Sequence, residues 1–294
     1  MNNYTLMKRI LFIVTILLFT VSCQKQIDVT QDAVVNDLLN CSGNSETIRI
    51  SETEDGNVNS SSLNKGLVAY YPFNGNANDL SVYANSGKLI GASLTKDRFG
   101  IYNSAINLNS IGQLVRTDSA IQNVLNTFSI NVWVNPKSID IIKPEGISGL
   151  EGYGNQSLIH PAHGATWGDA STNAGVGLNV GTNQIQVIEH THMFIASPLV
   201  YATKITGWHN ITIVYNSHVP SLYLDGKLVH IGLATNIQNV RPSNGYCAFY
   251  SNSGFGRSFS PNGTPSGQYL GQFDDIRIYN RVLSQSEITY LAAH

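Results

Sequence analysis

The sequence predicts an all-β fold, a sandwich of two antiparallel sheets with a short C-terminal helix. The first observation is the stretch Trp208 to Ile231, where Ile211, Ile213 and Tyr215 alternate with Asn210, Thr212 and Val214. That is the period-two pattern of a strand with one buried face. The second is Asp225-Gly226 between the runs Leu222–Leu224 and Lys227–Val229. Both central residues of a tight hairpin turn need positive φ, and Asp-Gly supplies them. The third is the recurrence of short strands about every ten residues, separated by Gly- and Asn-rich turns, as in a sandwich.

The chain has 294 residues, 42% of them hydrophobic, enough for one large core. Charged residues make up only 12% and the formal net charge is −2. No basic stripe is visible, which argues against a nucleic-acid partner.

Taken in order, the chain opens with Lys8-Arg9, an apolar run from Ile10 to Phe19, and Thr20-Val21-Ser22-Cys23. A short basic region, a short apolar core and small residues form an export signal, too short for a confident membrane span. The last four residues resemble a bacterial lipobox, with Thr20 in place of the usual Leu. That resemblance implies a signal over residues 1–22 and lipidation of Cys23. It further implies an exported lipoprotein of the cell envelope, most simply of the outer membrane, touching the membrane only through its anchor. Residues 23–65 are polar, acidic and poor in aromatics, the composition of a tether. Cys41 in the tether and Cys247 in the domain either pair in an oxidising compartment or stay unpaired.

The domain spans residues 66–294. Leu67–Phe73 reads as its first strand, and Phe128, Ile130, Val132 and Val134 share one strand face with Trp133 on the other. Residues 136–174 read as a long irregular insertion carrying Glu145, Glu151, His160, His163, Trp167 and Asp169; loops of that length are usually functional or disordered. Strands return at Val176–Val180 and Ile185–His190, then in the meander, with a turn expected at Asn216–Pro220. Tyr269–Tyr279 is the last strand, and Ser284 with Glu287 forms a capping box for a terminal helix.

The ordered set YYPFNGNANDLS, TKDRFGIYNSAINL, FSINVWV, WHNITIVYN, SLYLDGKLV and FDDIRIYNRVLSQSEI resembles the laminin G-like branch of the concanavalin A-like lectin/glucanase superfamily. The resemblance implies a two-sheet jelly roll. Members bind carbohydrates or proteins, some are glucanases, and many hold a structural calcium. Fold alone does not select among these.

Three kinds of site follow. A glycosidase needs two carboxyl groups at a set spacing, and the Glu-x-Asp-x-Glu strand of the superfamily's glucanases does not occur here. Glu189 is the one acid in a plausible core-face strand, so a hydrolase is the least favoured reading. For ligand binding, His190 and His192 lie two apart on a strand and share a face, with Glu189 just before them. His160, His163 and Trp167 of the insertion complete a candidate sugar or peptide contact, and the histidines alone a candidate transition-metal site. For calcium, the resemblance implies Asp274 of the last strand, with Asp275 pointing the other way. Carbonyls of Phe73–Gly75, and Asp79, would add oxygen ligands. His209 and His218 carry no assigned role. The expected function is a non-catalytic, lectin-like module for glycan capture or adhesion, with protein–protein adhesion as the alternative.

Overall fold

The computed structural model describes residues 58, 60–117, 124–152, 154–161, 172–191, 195–242, 254–259 and 265–294. Cys23, Cys41, Cys247, His163, Trp167, Asp169 and His192 lie outside the described residues. In chain order the first strands are β1 (Leu67–Tyr71), β2 (Lys88–Ile90), β3 (Ser93–Thr95), β4 (Ala105–Leu108), β5 (Leu114–Arg116) and β6 (Phe128–Pro136). There follow β7 (Ser157–Ile159), β8 (Asn173–Val180), β9 (Gln184–His190), β10 (Ile195–Ala202), β11 (His209–Asn216) and β12 (Val219–Leu224). The last are β13 (Lys227–Ile231), β14 (Asn239–Pro242), β15 (Gly254–Phe255), β16 (Arg257–Phe259), β17 (Pro265–Gln268) and β18 (Gly271–Tyr279). Two helices flank them, α1 (Ser60–Asn64) and α2 (Gln285–Ala293).

Sheet I runs β13-β12-β11-β6-β18-β4-β3, with β1 also on β18. Sheet II runs β10-β9-β8-β7-β15-β5-β2, with β14 also on β8, and β16 pairs β17 separately. Among the described strands pairing is antiparallel, except that β14 lies parallel to β8. The expected meander is β11-β12-β13, with Asp225 at φ 50° and Gly226 at φ 81° between its last two strands. The turn expected over Asn216–Pro220 is present and takes only two residues, Ser217 and His218 at φ 48° and 74°. Asn216 and Val219 close that turn, so Pro220 faces Tyr215 at a position where no amide is owed to β11.

The alternating residues meet between the sheets. Phe128, Ile130, Val132 and Val134 of β6 and Ile211, Ile213 and Tyr215 of β11 pack against Val176, Leu178, Ile185 and Val187 of sheet II. Phe128 and Tyr215 stack with ring centroids 4.6 Å apart. Burying such side chains contributes about 1.5–3 kcal/mol each, and this drives the two sheets together. The outer face of sheet I carries a second apolar cluster, in which Ile288 and Leu291 of α2 pack with Val214, Tyr279 and Leu283. The capping box is present: Ser284 Oγ accepts from Glu287 N at 3.3 Å, and Glu287 Oε2 accepts from Ser284 N at 2.8 Å.

Folded structure begins before Gly66. Leu63 of α1, expected in the tether, packs on the second cluster, and Arg281 donates to the carbonyls of Ser62 and Lys65. One apolar residue at the end of a polar stretch, with acceptors waiting on the domain, is enough to draw that turn onto it.

The candidate ligand face and the polar cluster opposite it

Alternation sorts the two central strands of sheet II. On β8, Ala174, Val176, Leu178 and Val180 enter the core, so Asn173, Gly175, Gly177 and Asn179 face outward. On β9, Ile185 and Val187 enter the core, so Gln184, Gln186, Ile188 and His190 face outward. The outer face of these two strands is therefore one of amides and glycines with one isoleucine and one histidine.

One end of this face is covered by residues 138–152 and 154–161 of the insertion, which contribute β7 to the sheet. Asp140 organises it. Its Oδ1 accepts from the amides of Ile141, Asn155 and Gln156 at 2.9, 2.6 and 3.0 Å, and its Oδ2 from Gln184 Nε2 at 2.9 Å. Beneath it, Ser157, Asn179 and Gln186 stand in one row across β7, β8 and β9. Gln186 accepts from Asn179 Nδ2 and donates to Ser197 Oγ. Ser157 Oγ, Asn179 Oδ1 and Gln184 Oε1 are buried without a hydrogen-bond partner.

The other end carries charge. Arg241 of β14 and His190 of β9 both stand opposite Gly175 of β8, so the three lie in one row across adjacent strands. Cross-strand neighbours project to the same face, so Arg241 and His190 flank a position with no side chain. Asn173 Oδ1 accepts from Arg241 and from Asn239 Nδ2, at 2.6 and 2.9 Å, and steadies the guanidinium. His190 Nδ1 lies 3.2 Å from the Pro161 carbonyl, next in the chain to the buried His160. Gly177 admits that segment, since a Cβ there would sit 2.8 Å from the Ile159 carbonyl and from Pro161. The Gly175 row lies four residues along β8 from the Asn179 row, about 13 Å.

Of the expected ligand residues, His160 and His190 are brought to this end of the face. Glu189 is not. It sits beside Ile185 and Val187 in the alternation and turns into the core, fully buried, where its Oε1 accepts from Tyr215 Oη at 3.0 Å. Burial pushes its carboxyl up to about 7, with the Thr235 and Tyr215 hydroxyls pulling partly back. Glu145 and Glu151 do not join it. Glu145 accepts from Val200 N and pairs with His230, and Glu151 accepts from Ser148 and Gly149. Arg241 was not among the expected residues. Its only signal in the sequence is Val240-Arg241-Pro242, an apolar–polar–apolar triplet too short to stand out.

The residues expected at calcium take different partners. Asp79 Oδ1 accepts from the amides of Tyr70 and Ser81, and Oδ2 from Ser81 Oγ and Asn85 N, all at 2.8–2.9 Å. It is the hub of the first loop. Asp274 Oδ2 pairs with Arg98 at 2.9 Å. Asp275, expected on the opposite side, pairs with the same guanidinium at 2.9 Å. The cause is a bulge: the register against β6 shifts between Asp274 and Arg277, and Asp275 has φ 51°. An extra residue at positive φ lets two consecutive side chains share one face. Among the described residues, no group of three or more His, Cys, Asp or Glu side chains could hold a metal.

Comparison with known proteins bears on the whole architecture. A family model described as the concanavalin A-like lectin/glucanases superfamily matches residues 109–289, more than half the chain. No curated protein matches. Among solved structures, the binding domain of botulinum neurotoxin serotype D is 18% identical with a TM-score of 0.52, covering 78% of this chain and 52% of that one. The ligand-binding domain of the same serotype in complex with N-acetylneuraminic acid is 18% identical with a TM-score of 0.50, covering 79% and 52%. Domain 4 of an extracellular arabinanase from Geobacillus stearothermophilus, in complex with arabinotriose, is 17% identical with a TM-score of 0.47, covering 77% and 98%. The chain thus spans about half the length of the toxin structures it matches. With its two antiparallel sheets packed face to face and the family model laid over most of their strands, the chain belongs to the concanavalin A-like lectin/glucanase superfamily.

Proposed function

We propose that the domain is a non-catalytic carbohydrate-binding module, displayed on the cell envelope by a lipid on Cys23 and used for glycan capture or adhesion. The observation that carries this reading is the Arg241–Gly175–His190 row, with Asn173 behind Arg241. A guanidinium and an imidazole either side of a strand position with no side chain set two polar groups beside a flat stretch of backbone, a pairing that suits the hydroxyls and ring face of a sugar. The carboxylates of the neighbouring insertion serve backbone amides and histidine, which favours binding over acid–base chemistry. Membership of a lectin superfamily is consistent with it, as is the similar fold of the toxin ligand-binding domain in complex with N-acetylneuraminic acid.

A glycan-array screen of the chain, followed by titration of the best sugar, tests the proposal. Binding to one sugar class that weakens at least about tenfold in Arg241→Ala and in His190→Ala would support it. The same sugar bound equally well by both variants would place the site elsewhere, and a folded sample that binds no glycan would overturn it. The second reading, protein–protein adhesion, draws on the exposed apolar side chains of the insertion. Ile139, Ile142 and Leu150 are 68%, 67% and 90% exposed. A partner captured through those residues, and lost in Ile142→Ser with Leu150→Ser, is what that reading requires.

A further inference from the structure

We propose that Arg98 is the resident cation of the Asp274–Asp275 pair, so that this domain carries a guanidinium where related domains lead one to expect calcium. The site lies on the outer face of sheet I, apart from the proposed glycan face. Its geometry starts with the β3–β4 loop. Asp97 Oδ1 accepts from the amides of Phe99 and Ile101 at 2.9 and 2.8 Å and fixes the turn from which Arg98 projects. The guanidinium then makes a fork: one nitrogen to Asp274 Oδ2, the other to Asp275 Oδ2, both at 2.9 Å. The second nitrogen also donates to the main-chain oxygen of His294. Arg98 lies 4.5 Å from the ring centroids of both Trp133 and Phe99.

Each feature suits an arginine and not a metal ion. Calcium asks for six to eight oxygens around a sphere. Here the two carboxylates meet a planar fork, which matches the fixed donor geometry of a guanidinium. Aromatic faces stack on a weakly hydrated guanidinium and offer calcium no oxygen ligand. Burial and the Asp275 carboxylate both act against an ionised Asp274, so the pair needs a positive partner. Arg277 supplies a second guanidinium. It reaches Asp275 Oδ1 at 3.3 Å and Tyr70 Oη at 2.7 Å, and Tyr70 donates to Asp275 Oδ1 at 3.0 Å. Asp274 and Asp275 thus face two guanidinium groups, and with the Asp275 amide on Asp274 Oδ1 all four carboxylate oxygens that a divalent ion would need are engaged.

The experiment titrates the full chain with terbium, a calcium mimic whose emission is excited through a nearby indole, here Trp133. Wild type should give no Trp133-sensitised emission, and its melting temperature should be the same in excess calcium and in chelator. Arg98→Ser leaves two carboxylates facing each other. Its melting temperature without metal should fall by about 4–10 °C. Calcium should recover part of that fall, and terbium emission should appear and then vanish on adding Trp133→Phe. Should Arg98→Ser fail to fold without metal, Arg98→Lys keeps a charge but not the fork; it should melt below wild type and still refuse terbium. Terbium emission from wild type that disappears in Asp274→Asn would overturn the proposal. So would a calcium-dependent rise in the wild-type melting temperature lost in the same variant, or an Arg98→Ser chain as stable as wild type.

Discussion

Tyr215 Oη, on β11 of sheet I, donates a hydrogen bond of 3.0 Å to Glu189 Oε1, on β9 of sheet II. This polar tie crosses the middle of an apolar core, between two residues with no exposed surface. Glu189 Oε2 has no hydrogen bond of normal geometry, although the Thr235 hydroxyl is close enough to favour the ionised form. A half-satisfied carboxyl in such a place prefers to keep its proton, which is why burial dominates its shift.

The consequence is a stability that falls as pH rises. Below the ordinary carboxyl value of 4.5, folded and unfolded chains both hold the proton and the site costs nothing on this account. As pH climbs from 4.5 to about 7, the unfolded chain releases its proton while the folded chain keeps it, and beyond that Glu189 must ionise in the core. The loss should reach on the order of 3 kcal/mol and then level off. Asp274, raised by burial and by Asp275, acts in the same direction, so the comparison must isolate one group. Glu189→Gln should be the more stable chain above neutrality and show a flatter profile in urea unfolding across this range. An unchanged slope in that variant would show that Glu189 titrates normally.

Tyr215→Phe tests the tie itself. Losing the hydroxyl leaves a buried carboxyl with less help, and stability should fall by about 1–3 kcal/mol at neutral pH. Replacing both partners by apolar groups removes the unmet polar demand, so Tyr215→Phe with Glu189→Leu should be more stable than Tyr215→Phe alone. Additive losses in a double-mutant cycle would mean that the two residues act independently.

Much of this architecture was legible in the chain, and the reasons are local. Period-two alternation in Phe128–Val134 and Ile211–Tyr215 and the Asp225-Gly226 turn depend on nearest neighbours, and the structure follows them. The alternation of Ile185 and Val187 also determines that Glu189 points inward and His190 outward. Treating both as ligand residues set that rule aside. Less legible was everything that depends on distant partners. Whether β14 runs beside β8, and so brings Arg241 level with His190, is decided by tertiary packing over more than fifty residues. The side on which Asp275 lies depends on a bulge that no alternation pattern announces.

Asp140 should act as the pin of the insertion. Its side chain gathers three backbone amides and the Gln184 amide, so Asp140→Ala strands several buried donors at once and should cost about 2–4 kcal/mol. Hydrogen exchange can separate a local effect from a global one. The amides of Ile141, Asn155 and Gln156 should exchange much faster in the variant, while those of β6 and β11 change only with overall stability. Equal protection at all of these sites in variant and wild type would show that the segment is held by its other contacts.

The start of the folded domain can be tested by truncation. Arg281 makes a two-point pair with Glu287, at 2.7 Å on each oxygen, and its remaining donors reach the carbonyls of Lys65 and Ser62 at 2.7 and 3.1 Å. Leu63 adds apolar contact to the Val214, Tyr279 and Ile288 cluster. A chain beginning at Gly66 loses both, whereas one beginning at Val58 keeps them. The shorter chain should therefore be less stable by about 1–3 kcal/mol, a fall of several degrees in melting temperature. Leu63→Ala in the longer chain should reproduce the apolar part of that loss and leave the Arg281 contacts in place. If both chains melt together, α1 rests on the domain without stabilising it, and the tether extends to Lys65 as the composition alone suggests.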